Sequence, residues 1–242
     1  GGYVSAIKAS QMGAKVVLIE KDKPGGLCLN WGCIPTKTML ITAKHYRDTL
    51  KSHEFGITGI DTTNINVDWD LLLKRKDKVV EKLVSGINML FKKNNIEYIN
   101  GEAEVLSSNE LMVNNKTISY KNLIVATGAS SKLPEIQGID KGIIEGSFID
   151  HKGIYSLDKR PDEVVILGSE VYAVEFATLF NAIGSKVTIL TDKTSLLTSF
   201  DLELSTLLER QLKKDGVKIV NEANTMVFDG NSLTYVRKEK EH

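Results

Sequence analysis

The 242-residue chain predicts an α/β fold: two βαβ units with a small antiparallel β insertion between them. Three observations carry that expectation. Apolar runs of strand length alternate with runs of helical period. Gly2 falls on Ala173, Gly13 on Gly184, Val16 on Val187 and Glu20 on Thr191, all at a constant offset of 171 residues, which marks an internal duplication. Between the two copies lie short strand-like segments divided by Ser-Ser-Asn and Asn-Asn turns.

Composition suits a globular chain, with 42% hydrophobic residues, 26% charged and a formal net charge of zero. Balanced charge supplies no basic field of the kind nucleic-acid binders use. No apolar run approaches the roughly 18 residues of a membrane span. Neither a nucleic acid nor a membrane is therefore expected as a partner. Two cysteines placed as a local pair fit a reducing compartment where disulfides are catalytic, so a cytoplasmic location is expected. The chain opens on Gly1-Gly2 with no methionine, and a truncated start is expected.

In order along the chain, residues 3–12 read as a helix packed closely on a sheet, with Val4, Ile7 and Met12 among small alanines and Gly13 as its stop. Val16–Ile19 reads as a buried strand closed by Glu20. A dinucleotide-binding βαβ unit places an acidic residue roughly 20 positions after its glycine turn, where it bonds a ribose hydroxyl. Glu20 has that place, and Gly2 matches the last glycine of G-x-G-x-x-G. The first strand and the two phosphate-facing glycines are expected ahead of Gly1.

Next comes Gly25 to Lys37, reading GGLCLNWGCIPTK, in which Cys28 and Cys33 are the only cysteines of the chain. Their spacing suits a small redox ring: disulfide Cα atoms lie roughly 4.4–6.8 Å apart, within reach of one distorted helical turn after a Gly-Gly loop. A structural zinc site usually needs four ligands, and His45, His53, His151 and His242 are scattered, so no metal is expected. Two inert, buried cysteines are the remaining alternative.

A helix is expected from Pro35 to Leu50, then a long amphipathic one from Asp68 to Asn94, with Leu72, Val79, Val80, Leu83, Ile87, Leu90 and Phe91 on its apolar face. Asp68 would cap its start and Asn94-Asn95 its end. Lys74, Arg75, Lys76 and Lys78 read as a solvated face. Strands are expected at 96–99, 103–106, 111–113 and 117–120, then at Leu123–Ala126 running into Thr127-Gly128.

The second βαβ unit starts with a strand at Val164–Leu167 and continues Gly168-Ser169-Glu170-Val171-Tyr172-Ala173-Val174-Glu175. Glu170 replaces the glycine that lets backbone approach a pyrophosphate. Two like charges about 4 Å apart repel by roughly 4 kcal/mol at an effective dielectric near 20, against about 8 kcal/mol for a micromolar affinity. Thr191 stands where an acidic ribose partner belongs, with Asp192 adjacent. Either the site is weakened or lost, or the loop is rearranged so that Asp192 and the helix amino terminus still hold a ligand. A helix over 201–214, a stop at Gly216, a strand at Val217–Val220, a hairpin across Asp229-Gly230 and a solvated Lys-Glu-Lys-Glu-His tail complete the chain.

The run GG-x-C-L-N-x-G-C-I-P-T-K resembles the active-site disulfide of the flavoprotein disulfide reductases, and within that family it is most similar to the dihydrolipoamide dehydrogenase branch. The resemblance implies two Rossmann-like dinucleotide-binding domains, an FAD domain over 1–157 and an incomplete NAD domain over 158–242. It makes Cys28 the thiol that attacks a disulfide substrate and Cys33 the thiolate lying against the flavin. Lys37 would stand near the reactive flavin nitrogen, paired with Glu175. FAD contacts are implied for Gly2, Glu20, Lys21, Gly25, Gly26, Cys28, Cys33, Lys37, Ala103, Thr127, Gly128 and Ala129. NAD contacts are implied for Gly168, Ser169, Glu170, Val171, Tyr172, Ala173, Glu175, Thr191 and Asp192.

The implied reaction is oxidation of dihydrolipoamide with NAD. The alternatives are a glutathione or mercuric type of reductase, or a flavin-binding protein that lost turnover. Lipoamide, free or protein-tethered, a 2-oxo acid dehydrogenase complex and a second copy of the chain are the implied partners. The family's acid-base His-Glu pair is expected outside this chain, and neither His45 nor His151 is assigned to it.

Overall fold

The computed structural model describes every residue except Glu239 and His242. Its architecture is mixed α/β, and packing divides the chain into two units: Gly1–Pro35 with Asp77–Ser130, and Thr36–Lys76 with Ser131–His242.

In the first unit, α1 (Gly2–Gln11) leads to β1 (Val17–Glu20) through Gly13, whose φ of 90° is the left-handed turn that glycine adopts without penalty. β1 pairs in parallel with β2 (Glu97–Asn100), in register from Val17 on Glu97 to Glu20 on Asn100. Ala6, Ile87, Phe91 and Ile96 are buried together, with Tyr3, Ile7, Val16, Leu18, Leu29 and Tyr98 packed around them. The small side chain of Ala6 is what lets α1 approach the sheet. β3 (Ala103–Val105), β4 (Glu110–Val113) and β5 (Lys116–Ser119) form the expected antiparallel insertion.

Three helices carry the cysteine stretch and its surroundings. α2 (Gly26–Trp31) and α3 (Cys33–Leu50) are separated by Gly32 alone, and α3 starts at Cys33, two residues before the expected Pro35. Pro35 still lies in the first turn of α3, where its missing N–H removes no helical bond. α4 (Trp69–Lys93) is capped as expected, with the Asp68 carboxylate accepting the Leu71 N–H at 2.9 Å and Asn95 turning left-handed at its end.

In the second unit, β6 (Glu163–Leu167), β7 (Lys186–Leu190) and β8 (Lys218–Val220) form a parallel sheet in the order β6-β7-β8. A short helix, α5 (Ile139–Glu145), precedes them. α6 (Val171–Ala182) follows β6, and α7 (Leu202–Lys214) is capped by Asp201, which accepts the Glu203 and Leu204 N–H groups. Val187, Ile189, Leu190, Phe176, Ala177, Leu179 and Phe180 are all buried, which fits a strand and helix covered on most sides. β9 (Asn224–Phe228) and β10 (Leu233–Arg237) form the expected hairpin, with Asp229 accepting the Asn231 and Ser232 N–H groups in the turn.

Four expectations are corrected. Leu123–Ala126 is not a strand: among the described residues it has no ladder partner, and Leu123, Ile124 and Val125 are exposed. The charged tail is solvated at Lys238 and Lys240 but is not without structure, because β11 (Lys240–Glu241) pairs antiparallel with β10; its Glu239 and His242 lie outside the described residues. Leu83 and Leu90 are exposed, while Leu72, Val80, Ile87 and Phe91 are buried. Lys76 is 5% exposed and so does not belong to the solvated face, while Arg75 is exposed as expected and also bonds the Thr38 carbonyl. Helix α5 and the 3-10 turns at Ser52–Phe55 and Gly153–Ser156 carried no recognised sequence signal.

Candidate active site

Cys28 and Cys33 are joined in a disulfide, with Cα atoms 4.7 Å apart. Cys28 sits in α2 and Cys33 opens α3, so the break at Gly32 folds the two sulfurs together. Gly25 and Gly26, with φ of 120° and 75°, supply the turn that starts α2, a conformation closed to most side chains. Asn30 fixes that turn. Its amide nitrogen lies 3.3, 3.2 and 3.1 Å from the carbonyl oxygens of Lys23, Pro24 and Gly26, and the residue is buried. Asn30 was legible only as a letter of the motif, without a role.

Of the other expected residues of the first unit, Glu20 and Lys21 stand at the end of β1. Glu20 Oε1 accepts the Asp22 N–H at 3.0 Å. Asn100 Nδ2 donates to the carbonyls of Glu20 and Asp22, and the Trp31 indole donates to the Asp22 carboxylate at 2.9 Å. Lys21 pairs with Glu102 at 2.7 Å; the hydrogen bond and charge of Glu102 hold the ammonium pKa above its ordinary value. Ala103 lies in β3, exposed. Thr127, Gly128 and Ala129 lie in an exposed run without regular structure, and the preceding Ala126 approaches α1: a Cβ placed on Gly2 would lie 3.5 Å from the Ala126 Cβ.

Two observations fit a flavin dinucleotide at these residues. Beside the cysteine loop, Asn30 Oδ1 is buried with no hydrogen-bond partner among the described residues. A Cβ at Gly26 or at Gly128, both of positive φ, would meet nothing within 4 Å, which leaves bare backbone open to a ligand.

The second unit brings together Lys37 and Glu175. Their ammonium and carboxylate form an ion pair in which the Glu175 side chain is 18% exposed and that of Lys37 55%. Thr36, buried, shares a hydrogen bond of 2.7 Å with the Tyr155 hydroxyl. Burial pushes the Tyr155 phenol up to about 12, against the lowering effect of the Thr36 bond.

Around α6 the expected nicotinamide-site residues sit as follows. Gly168 has φ 131°, and a Cβ there would meet only the Ala173 Cβ at 4.0 Å, so the tight turn and the close helix approach are intact. Glu170 does not cap its own helix. Its two carboxylate oxygens accept the hydroxyls of Thr198 at 3.0 Å and Ser199 at 2.8 Å, and the Ser169 carbonyl accepts the Leu197 N–H at 2.8 Å. The charge is thus tied to the loop after β7. Val171 is exposed and Ala173 buried. Tyr172 packs between His151, at 4.8 Å, and Phe176, at 5.8 Å. Thr191 is buried with its hydroxyl accepting the Lys193 N–H, and Asp192 pairs with Lys193. Among the described residues no cluster of three or more His, Cys, Asp or Glu could hold a metal, and no helix is long and apolar enough to cross a membrane.

A parallel βαβ scaffold carrying a paired-cysteine loop defines a class of redox protein, and comparison with known proteins agrees. The pyridine nucleotide-disulphide oxidoreductase family model matches residues 1–242, and the chain belongs to that family. The dihydrolipoyl dehydrogenase of Acholeplasma laidlawii is 40% identical over 241 residues, covering 100% of this chain and 71% of that protein. That of Mycoplasma genitalium is 38% identical over 234 residues, covering 97% and 51%. The chain thus spans about half the length of several curated relatives it matches. Among solved structures, the Cu(II) complex of the HOCl-induced flavoprotein disulfide reductase RclA from Escherichia coli matches with a TM-score of 0.81 at 28% identity, covering 100% of this chain and 51% of that one.

Proposed function

We propose that the complete protein is an FAD-dependent disulfide oxidoreductase that oxidises dihydrolipoamide, with NAD as the terminal acceptor. The observation that carries this is the Cys28–Cys33 disulfide inside the full GG-x-C-L-N-x-G-C-I-P-T-K run, with Lys37 paired to Glu175. A thiolate of the substrate attacks Cys28, breaking the Cys28–Cys33 bond and forming a mixed disulfide while Cys33 leaves as thiolate. The second substrate thiol then displaces Cys28, releasing the cyclic disulfide. Thiolates are the competent species, and the Lys37 ammonium, four residues beyond Cys33 in α3, favours the charged form of Cys33.

FAD, when bound, supplies the two-electron carrier between the dithiol and a nicotinamide. Gly2, Glu20, Lys21, Gly25, Gly26, Ala103, Thr127, Gly128 and Ala129 would hold it, with Cys33 and Lys37 at its reactive ring. Gly168, Ser169, Glu170, Val171, Tyr172, Ala173, Glu175, Thr191 and Asp192 would form the nicotinamide dinucleotide site. The division at 157/158 into an FAD domain and an NAD domain belongs to the same reading, as do protein-tethered lipoamide and a 2-oxo acid dehydrogenase complex as partners, a homodimer, and a cytoplasmic location.

The test is a spectrum of the complete protein. Bound oxidised flavin should gain a long-wavelength band on dithiol reduction, and Cys33→Ser should abolish it. A band that survives in Cys33→Ser contradicts the assignment.

A further inference from the structure

Four polar side chains beside Lys37 are buried, and burial of a polar group is costly unless it is bonded. Thr36 is 0% exposed, Thr38 7%, Lys76 5% and Tyr155 4%. Their bonds form a circuit through three elements. The Arg75 guanidinium of α4 donates to the Thr38 carbonyl of α3 at 2.8 Å. Thr36, two residues earlier in α3, shares its 2.7 Å hydrogen bond with the Tyr155 hydroxyl. The Tyr155 carbonyl accepts the Lys76 ammonium of α4 at 3.0 Å, and the same ammonium lies 5.7 Å from the Tyr155 ring. Two residues on, the Leu157 carbonyl accepts the Trp69 indole N–H of α4 at 2.8 Å. Both neighbours flanking Lys37 in α3 are therefore pinned.

Tyr155 reaches the other half of the ion pair as well. Its ring packs edge-on against Phe176 at 6.1 Å, and Phe176 follows Glu175 in α6. One buried tyrosine thus touches the residue before Lys37 and the residue after Glu175. The charged and titratable groups about it are Lys76 of α4, and Tyr172 and Glu175 of α6; burial keeps Tyr155 itself a neutral hydroxyl through the working pH range.

We propose that Tyr155 is a positioning residue for the Lys37–Glu175 pair: by holding Thr36 and Phe176 it sets where the Lys37 ammonium stands relative to Cys33, four residues back on the same helix face. This rests on the reading of Cys33 as the flavin-facing thiolate. The hydroxyl does no chemistry on substrate. It fixes the cation that eases ionisation of the thiol.

The experiment uses the full-length holoenzyme reduced with a dithiol, and reads the pH midpoint of the long-wavelength flavin–thiolate absorbance. Tyr155→Phe is expected to raise the midpoint by less than about one pH unit, because the lost hydrogen bond acts on the thiol only through the displaced cation. Thr36→Val should raise it equally, Thr36→Ser should leave it in place, and combining Tyr155→Phe with Thr36→Val should add nothing. In a Lys37→Met background Tyr155→Phe should move nothing. A Tyr155→Phe midpoint equal to that of the unaltered enzyme, with only the melting temperature lowered, overturns the proposal, as does an undiminished shift in the Lys37→Met background. Should Tyr155→Phe fail to fold, Thr36→Val against Thr36→Ser decides it: a shift in the first alone supports the proposal, and equal midpoints overturn it. If the unaltered holoenzyme shows no such band, the assignment of Cys33 fails, and the proposal falls with it.

Discussion

The two βαβ copies end their helices and strands alike and differ in the loops that follow those strands. Gly13 and Gly184 stand at corresponding positions with φ of 90° and 96°, and the residue after each donates back into the helix, Ala14 to Ala9 and Ser185 to Phe180. Strand ends match too. Glu20 accepts the N–H of Asp22, and Thr191 accepts that of Lys193, so a carboxylate and a hydroxyl close the same turn. Beyond those turns the copies part: β1 leads into the loop that carries Cys28 and Cys33, while the loop after β7 carries Thr198 and Ser199, whose hydroxyls donate to Glu170. The turn positions whose backbone favours glycine are alike, and the loops beyond the strands are not.

The loops after β1 and β7 differ most, and that difference can be broken most visibly. Only the first loop leads into a disulfide, so Cys28→Ser or Cys33→Ser in the complete protein should lower dithiol oxidation on the order of a thousandfold or more. Turnover within tenfold of the unaltered enzyme would remove the chemical distinction between the copies.

Glu170, held by the loop after β7, sharpens the comparison. Reduced nicotinamide should reduce the flavin poorly, and Glu170→Gly should improve NADH affinity severalfold, less than about tenfold because the carboxylate is already held aside by two hydroxyls. Flavin-quenching titrations measure it, and unchanged or weaker binding in Glu170→Gly would show that the charge is harmless there. Lys37 and Glu175 test a pair confined to the second unit: removing Lys37 leaves a largely buried carboxylate, and Lys37→Ala should lower stability by about 1–2 kcal/mol in chemical denaturation. A loss no larger than that of Lys44→Ala, an exposed helical pair, would reduce it to a surface contact.

The smallest effect concerns the loop that carries Thr198 and Ser199. Glu209 anchors it by accepting the Leu196 N–H, together with Lys213 and Asn221. Burial opposes ionisation of this carboxyl, yet those bonds outweigh it and hold its pKa below the ordinary value. A depressed folded pKa means stability present above the unfolded value, near 4.3, and lost as pH falls through the folded one. Glu209→Gln should therefore cost about 1 kcal/mol at pH 7 and progressively less as pH falls below the unfolded value. A cost that stays constant as the pH is lowered would show that shape, not charge, holds the loop.

Much of this was legible in the chain. The duplication, the parallel units, the antiparallel insertion and the hairpin at Asp229-Gly230 follow from period, turn chemistry and repeat. The motif drew attention to Cys28 and Cys33, and their spacing was compatible with a ring. Lys76 was misread because its neighbours Lys74 and Lys78 share its charge, and no local pattern separates a lysine that donates to a distant carbonyl from one in water. Leu123–Ala126 was misread because apolarity proposes a strand, while a ladder requires a second chain segment beside it.

By itself the sequence indicated most of the elements in order, the two glycine-ended helices and a pair of cysteines spaced so that they could bond, because these depend on residues a few positions apart. Only the tertiary structure decided that Glu170 turns to Thr198 and Ser199, that Lys37 meets Glu175, and that Thr36, Tyr155 and Lys76 share one buried circuit. Those contacts join residues 28 to 138 positions apart, and their geometry is set by how helices pack against strands, which no local stretch encodes.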